Sequence, residues 1–423
     1  MVTIVGAGPA GATAARTLAR AGVTVRLLDR SNFPRNKPCG GGISIRVLKR
    51  FPYLSQALGR IATHAVSRLY LEGPGGESTV IESSEPAALM VRRVEFDHLL
   101  VSLAREAGAD LVSGVDIVQA SMTDAGVALV ARDGRRFEAP IVIAADGVNS
   151  IIARRLGFTQ GWPATSVALD MMEETPRDTL RDRDPSTLWV AYGFDPDSNR
   201  PGPTARRAAE GYAYVFPKRD HVNVGIGYVL EHYRRSVDAA PYELQQGFVD
   251  HLKRRGVLEG DSVRGNFTPF HIPVGGPLPC PGRGRVLLAG DAGGFVNGFT
   301  AEGIYYAMVS GDLAARAVVE APSEVHSLAR RYRRSVDNEV GTELRDSVRV
   351  QRYLFADRHR IARIIRGASH TPAITRMILD FAVGQLSYYK LRRRLMVRAP
   401  LLAARMIMER FAEGAAALKL QSR

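Results

Sequence analysis

The sequence predicts an α/β protein. It has a doubly wound domain on a parallel sheet, an α+β second domain built on an antiparallel sheet, and a helical C-terminal region. Three observations carry that expectation. Residues 2–29, VTIVGAGPAGATAARTLARAGVTVRLLD, read as strand, glycine turn, alanine-rich helix and second strand. Residues 160–270 are rich in aromatics and turn formers, with alternating segments such as GYAYVFP and HVNVGIGYV. Beyond Ser323 the pattern turns helical and arginine-rich.

In order along the chain, the first helix spans about Pro9–Ala21, and the apolar run Val23–Leu28 ends on Asp29. Residues 66–91 form short strands broken by GPGG, 94–107 a helix, and RRFEAPIVIAADGVNS two strands and a turn. RVLLAGDAGG returns to a buried strand, followed by a helix over about Glu302–Val319. The parallel-sheet domain is therefore discontinuous, over 1–65, 92–160 and 271–325. The antiparallel domain takes 66–91 and 161–270, and the basic helical region 326–423.

The chain has 423 residues and a net charge of +14, but the charge is uneven. Residues 331–423 hold 20 Lys/Arg against 8 Asp/Glu, whereas the preceding 330 residues are nearly balanced. A basic region on a balanced body suits an anionic partner such as a membrane surface, and equally a solvated arginine-rich face. Nucleic acid is not expected, because zinc-finger spacing, RNP-like aromatics and basic heptads are missing. Cys39 and Cys280 are the only cysteines, which excludes a disulfide framework and suits a reducing compartment. No apolar run is long enough to span a bilayer, so the expectation is a cytoplasmic protein, in peripheral contact with membrane if the basic region binds lipid. Metal-ligand spacing and nucleophile-elbow motifs are not found, and no metal site is expected.

Gly6, Gly8 and Gly11 form G-x-G-x-x-G between a strand and a helix opened by Pro9 and Ala10. The first glycine permits the turn, the second admits a pyrophosphate, and the third lets helix and strand pack closely. The helix N-terminus favours the anion. Asp29, followed by Arg30, stands where an acid can accept ribose hydroxyls. The motif predicts dinucleotide binding.

IVIAADGVNSIIAR and GRVLLAGDAGGFVNGFTAEGI resemble the Asp-Gly and Gly-Asp fingerprints of FAD-dependent proteins of the para-hydroxybenzoate hydroxylase type. RVEFD resembles their Arg-x-x-Phe-Asp helix. The resemblance implies FAD, with Asp146, Arg93, Gly290, Asp291, Gly303 and Ile304 around it. Within that group KPCGGGIS, YAYVFPK and GQLSYYKLRRRL resemble the geranylgeranyl reductases. That likeness implies a Lys37–Cys39–Gly40–Gly41 stretch beside the flavin. It also implies a lipid channel lined by Tyr212, Tyr214, Phe216, Pro217 and Lys218. This sequence carries Tyr214 where the family has tryptophan, and it lacks the proline before Glu-Gly-Ile.

The activity so implied is reduction of carbon–carbon double bonds in an isoprenoid or prenylated lipid, by hydride from reduced flavin and a proton from Tyr212, Tyr214 or Cys39. A second nucleotide fingerprint is missing, so NADPH would bind transiently or a reduced ferredoxin would replace it. The alternating tyrosines also suit an ordinary half-buried sheet face. Lys218 reads as a surface turn residue or a contact to the substrate's polar end, and His221 and His271 read as structural. The competing readings are a flavin monooxygenase of an aromatic or polyketide-like substrate and a non-catalytic lipid-binding flavoprotein. Against a hydroxylase, Gly294 stands where such enzymes usually carry histidine.

Overall fold

The computed structural model describes residues 1–194, 210–320 and 325–371, with 374, 375 and 378. The GQLSYYKLRRRL motif and the basic stretch 390–411 lie outside the described residues. The α/β expectation holds. A six-stranded sheet runs in the order Gly282–Arg283, Val286–Leu288, Ile141–Ala144, Val2–Val5, Val25–Asp29, Asp110–Ser113. Every pairing in it is parallel except that of the short Gly282–Arg283 edge.

Side-chain alternation divides the two faces of this sheet. Ile4, Leu27, Ile143 and Leu287 pack under the helices Pro9–Arg20, Arg93–Glu106 and Ile304–Glu320. Val5, Leu28, Val142 and Leu288 pack the other way, against Ile117, Val127 and Leu129. Those belong to a three-stranded antiparallel meander over 117–139 that serves as the crossover between Asp110–Ser113 and Ile141–Ala144. The second covering layer of the parallel sheet is thus a meander rather than helices.

The second sheet has seven strands in the order Phe267–Ile272, Ala168–Pro176, His221–Val229, Gly211–Pro217, Thr187–Tyr192, Arg68–Glu72, Ser78–Glu82. It departs from the antiparallel expectation at one seam, where Thr187–Tyr192 runs parallel to Arg68–Glu72. The reason is that residues 68–82 arrive as a separate excursion of the chain and dock as a finished hairpin. Two helices, Leu230–Ser236 and Pro241–Arg254, also interrupt the stretch read as sheet. The second was legible. Pro241 opens it, and Leu244, Phe248 and Leu252 recur every fourth residue as its buried stripe.

That stripe covers one face of the seven-stranded sheet, over Trp189, Ala213, Val215 and Val224. The opposite face carries Val190, Tyr214, Phe216 and Met172 and meets Leu354, Phe355, Ile361 and Ile365. These last residues lie on the helices Thr342–Phe355 and Arg358–His370. Ion pairs fasten this region to the rest of the chain. Arg46 makes two bonds to Glu343 (2.9 and 3.0 Å), and Arg50 bridges Glu339 (2.6 Å) and Asp312 (2.7 Å). Because Asp312 and the Arg46–Glu343 pair are largely buried, these links are expected to outweigh exposed pairs.

Candidate functional site: a cavity from the glycine turn to the aromatic sheet

The C-terminal ends of the parallel strands open into one cavity of about 1600 Å³. Drug-sized ligands occupy roughly 300–1,000 Å³, so two bound molecules fit within it. At one end lies the glycine turn. Gly6 has φ +96°, and a Cβ there would sit 2.2 Å from the Ala145 carbonyl oxygen. A Cβ on Gly11 would lie 1.8 Å from the Gly6 oxygen. Gly11 is therefore the packing glycine of the motif and, though counted with the cofactor-binding glycines, does not itself border the cavity.

Gly8 differs. A Cβ on it would meet only the Arg35 guanidinium, at 3.7 Å, with the cavity in front. Gly8 is also the N-cap of Pro9–Arg20 and offers no capping side chain, so the first-turn amides remain open. An anion between this helix end and Arg35 would satisfy both. Arg35 lines the cavity, and its buried Nη1 is ion-paired with Asp97 at 3.1 Å without hydrogen-bond geometry. Sequence reasoning missed it. The available signal was a cation in the loop that leaves the second strand.

Asp29 ends that strand, accepts hydrogen bonds from the amides of Ala7 (2.7 Å) and Ser31 (2.8 Å), and faces the cavity beside Arg30. Asp146 accepts from Ile151 (2.9 Å) on one oxygen, while its other oxygen is buried without a partner. Burial raises its pKa. Arg93 grips Asp97 at 2.6 and 2.8 Å and lines the same wall. Asp291, Gly290, Gly303 and Ile304 close the next side. Burial raises the Asp291 carboxyl, against the pull of Lys37 and Arg93. An open glycine, a free helix end, a ribose-height acid and an orphaned carboxylate oxygen together fit FAD. Gly8, Arg35 and the helix end would hold its pyrophosphate, and Asp29 its adenosine ribose.

Lys37, Cys39, Gly40 and Gly41 line the middle of the cavity. The Lys37 ammonium lies 4.4 Å from the Phe270 ring centroid. Burial and Arg93 lower its pKa, against Asp291, Cys39 and Asp97. Cys39 is half-buried, and its Sγ accepts from the Gly41 amide at 3.4 Å. Two of the three glycines that follow are held against the protein itself. A Cβ on Gly40 would strike the Phe216 ring at 2.6 Å, and one on Gly41 the Val91 carbonyl at 2.1 Å. The bare backbone lets the loop press on its own protein.

Beyond the loop the walls become aromatic. Tyr212, Tyr214 and Phe216 line the cavity with Tyr192, Phe270 and Phe299. Tyr212 donates to the Thr300 carbonyl (2.7 Å), and Tyr214 donates to Asp170 (3.1 Å). Burial raises both phenols well above their ordinary pKa. Opposite Tyr212 and Tyr214 on the next strand stand Gly227 and Gly225. A Cβ on Gly225 would lie 2.5 Å from the Tyr214 hydroxyl. This Gly-Ile-Gly in HVNVGIGYV was available to sequence reasoning as a partner of the tyrosine strand and was missed. So was Asp170.

Two expected substrate contacts are corrected. Pro217 follows the parity of Ala213 and Val215, which belong to the helix-covered face, and does not line the cavity. Lys218 is not a surface turn residue, and it does not line the cavity. It is 1% exposed, ion-paired with Glu174, and its ammonium lies 3.0 Å from where a Gly41 Cβ would be. Burial pushes Glu174 up, but Lys218 and Arg92 pull it below the usual carboxylate range. Of the histidines read as structural, His271 borders the cavity.

This fold and this cradle define an FAD-dependent oxidoreductase, and residues 1–226 match the FAD binding domain family. The chain belongs to the geranylgeranyl reductase family within it. It is 30% identical to digeranylgeranylglycerophospholipid reductase 2 of Methanothermobacter thermautotrophicus, over 84% of this chain and 87% of that protein. Menaquinone reductase of Mycolicibacterium smegmatis is 31% identical over 74% of this chain and 75% of its own length. The solved structure of a geranylgeranyl bacteriochlorophyll reductase-like protein from Thermoplasma acidophilum has a TM-score of 0.74 at 21% identity. It covers 93% of this chain and 98% of its own.

Proposed function

We propose that the protein reduces carbon–carbon double bonds in an isoprenoid chain carried by a lipid. The observation behind this reading is that a single cavity joins the FAD cradle to an aromatic and aliphatic channel. An isoprenoid offers almost nothing to hydrogen-bond, so its recognition must come from shape and apolar area. Leu69, Leu71, Leu188 and Val190 extend the channel from the tyrosines, and Leu354, Ile361 and Ile365 face them across it. The names of the relatives, reductases of digeranylgeranylglycerophospholipid and menaquinone, support the same class of substrate.

Bound FAD supplies the hydride chemistry. The chain's own residues do the rest. Tyr192 stacks on Phe299 at 5.5 Å and meets Tyr212 at 5.8 Å, which packs the channel wall ring against ring. Cys39 and Gly40 place an apolar edge between cradle and channel, and Cys39 is read as the residue that positions the alkene. At the far end Arg360 and Arg363 alternate with Ile361 and Ile364 around the opening, a setting for a charged headgroup with its tail inside. The electrons come from NADPH or a reduced ferredoxin.

The test is anaerobic. Protein reduced with dithionite is mixed with prenyl diphosphates, prenylated quinones and geranylgeranylated glycerolipids, and products are weighed by mass spectrometry. A gain of two mass units per double bond, with return of the oxidised flavin spectrum, is expected. A hydroxylated product in air, with uncoupled peroxide, would instead make the protein a monooxygenase.

A further inference from the structure

We propose that Asp170, with the Tyr214 hydroxyl bonded to it, is the acid that protonates the alkene. This rests on the reductase reading above. An isolated trisubstituted alkene is a poor hydride acceptor, so a proton must reach one carbon as the hydride reaches the other. The three donors expected from the sequence are less suited. The Tyr212 proton is held by the Thr300 carbonyl, the Tyr214 proton by Asp170, and the Cys39 sulfur accepts from Gly41. The phenols cannot leave as anions readily, since burial holds their protons tightly.

Asp170 has what they lack. It is 5% exposed and lines the cavity on the tyrosine face, beside Phe270 and opposite Gly227 in the sheet. Tyr214 reaches it across Gly225, where any side chain would block the path. One carboxyl oxygen accepts from Tyr214, and the other meets no donor in hydrogen-bonding geometry. A buried carboxyl oxygen without a partner costs far more as an anion than as a neutral O–H. The charged and titratable groups around it are Tyr212 and Tyr214 on the strand Gly211–Pro217, two places away in the sheet, and Lys37 on the loop. Burial raises its pKa to about 7, against Tyr214, Lys37 and the Met171 amide.

The step balances. Asp170 gives its proton to one alkene carbon while hydride from the reduced flavin reaches the other. The π bond breaks, two C–H bonds form, and the flavin is left oxidised by two electrons. Asp170 is left a carboxylate, steadied by the Tyr214 hydroxyl and Lys37, and takes its next proton from water. Glu302 is a half-buried carboxyl on the cavity that desolvation also raises to about 7, and its buried Oε1 has no hydrogen-bond partner. It belongs to the loop carrying Gly303 and Ile304, beside Arg46, and not to the aromatic channel.

Two measurements on the flavin-loaded protein test the assignment. Infrared difference titration without substrate should show protonated-carboxyl absorption that disappears around neutral pH, with one component missing from Asp170→Asn and a different one from Glu302→Gln. In single turnovers, lipid-dependent reoxidation of the reduced flavin should slow roughly a hundredfold or more in Asp170→Asn. Flavin content, dithionite reduction and lipid binding should be unchanged. Asp170→Glu should recover part of the rate. Tyr214→Phe removes a bond that favours the carboxylate, so its alkaline limb should move to higher pH. Wild-type turnover in Asp170→Asn would overturn the assignment, as would loss confined to Glu302→Gln. A wild type that reduces no prenyl lipid would sink the underlying reading instead, and the two failures are told apart by the wild-type control.

Discussion

The FAD cradle and the aromatic channel are both built around glycines, and they use them for opposite purposes. At Gly8 the missing side chain leaves a space that opens on the cavity, with only the Arg35 guanidinium nearby at 3.7 Å. At Gly40 and Gly225 the space is already filled, by Phe216 at 2.6 Å and by Tyr214 at 2.5 Å. One set of glycines admits a ligand. The other admits the protein's own rings, which then shape the place of a ligand. Substitutions in the first set should therefore act on flavin occupancy, and those in the second on turnover.

The largest effect is expected at the motif glycine that packs helix against strand behind the cradle. Gly11→Ala puts a Cβ 1.8 Å from a backbone oxygen, which only a shift of helix against strand can relieve. Soluble yield and flavin content should both collapse. Gly8→Val, by contrast, should leave a folded, colourless protein. Its flavin affinity should fall by roughly a hundredfold, about 2.7 kcal/mol, as read by fluorescence titration. Full flavin occupancy in that variant would refute the cradle assignment.

Gly225→Ala sharpens the other half of the contrast. The new methyl must push the Tyr214 ring off Asp170. Flavin content should be normal and alkene reduction slower by roughly ten- to a hundredfold. If it loses flavin instead, the two glycine sets do not divide as described.

Cys39→Ala should follow the same pattern, with flavin kept and lipid reduction down roughly tenfold or more. Cys280→Ala should be silent, because Cys280 is exposed and its sulfur contact, to Arg333 at 3.8 Å, is long.

The smallest effect is a pH dependence of stability. Asp170 is raised to about 7 in the folded protein from an ordinary 3.8. Its contribution to stability is full below about pH 4 and is lost as pH rises through about 7. Asp170→Asn carries no such loss. It should therefore melt above the wild type at about pH 8, by a few degrees on the scale of roughly 2–4 °C per kcal/mol. The gap should close toward about pH 4. A constant gap across that range would mean that Asp170 does not titrate there.

The sequence by itself determined the cradle. A β-rich run, three glycines at fixed spacing, Pro9 and Asp29 all fall within about thirty residues, and the local spacing is enough to read them. The fingerprints around Asp146 and Asp291 were legible through their resemblance to known motifs, and the alternation of Tyr212, Tyr214 and Phe216 through its period of two. Tertiary structure decided the rest. Asp170 joined the site because the strand at 168–176 pairs with the one at 221–229, which pairs in turn with the tyrosine strand. Nothing near Asp170 in the chain marks it. Lys218 looked like a motif residue open to substrate until burial and Glu174 enclosed it, and strand parity alone turned Pro217 away from the cavity. Gly40 and Gly41 were legible as bare backbone, but what fills the space beside them comes from Phe216 and Val91, far along the chain. Local sequence records what a backbone can do, whereas the partner that occupies the space it leaves is set by which distant strands come together.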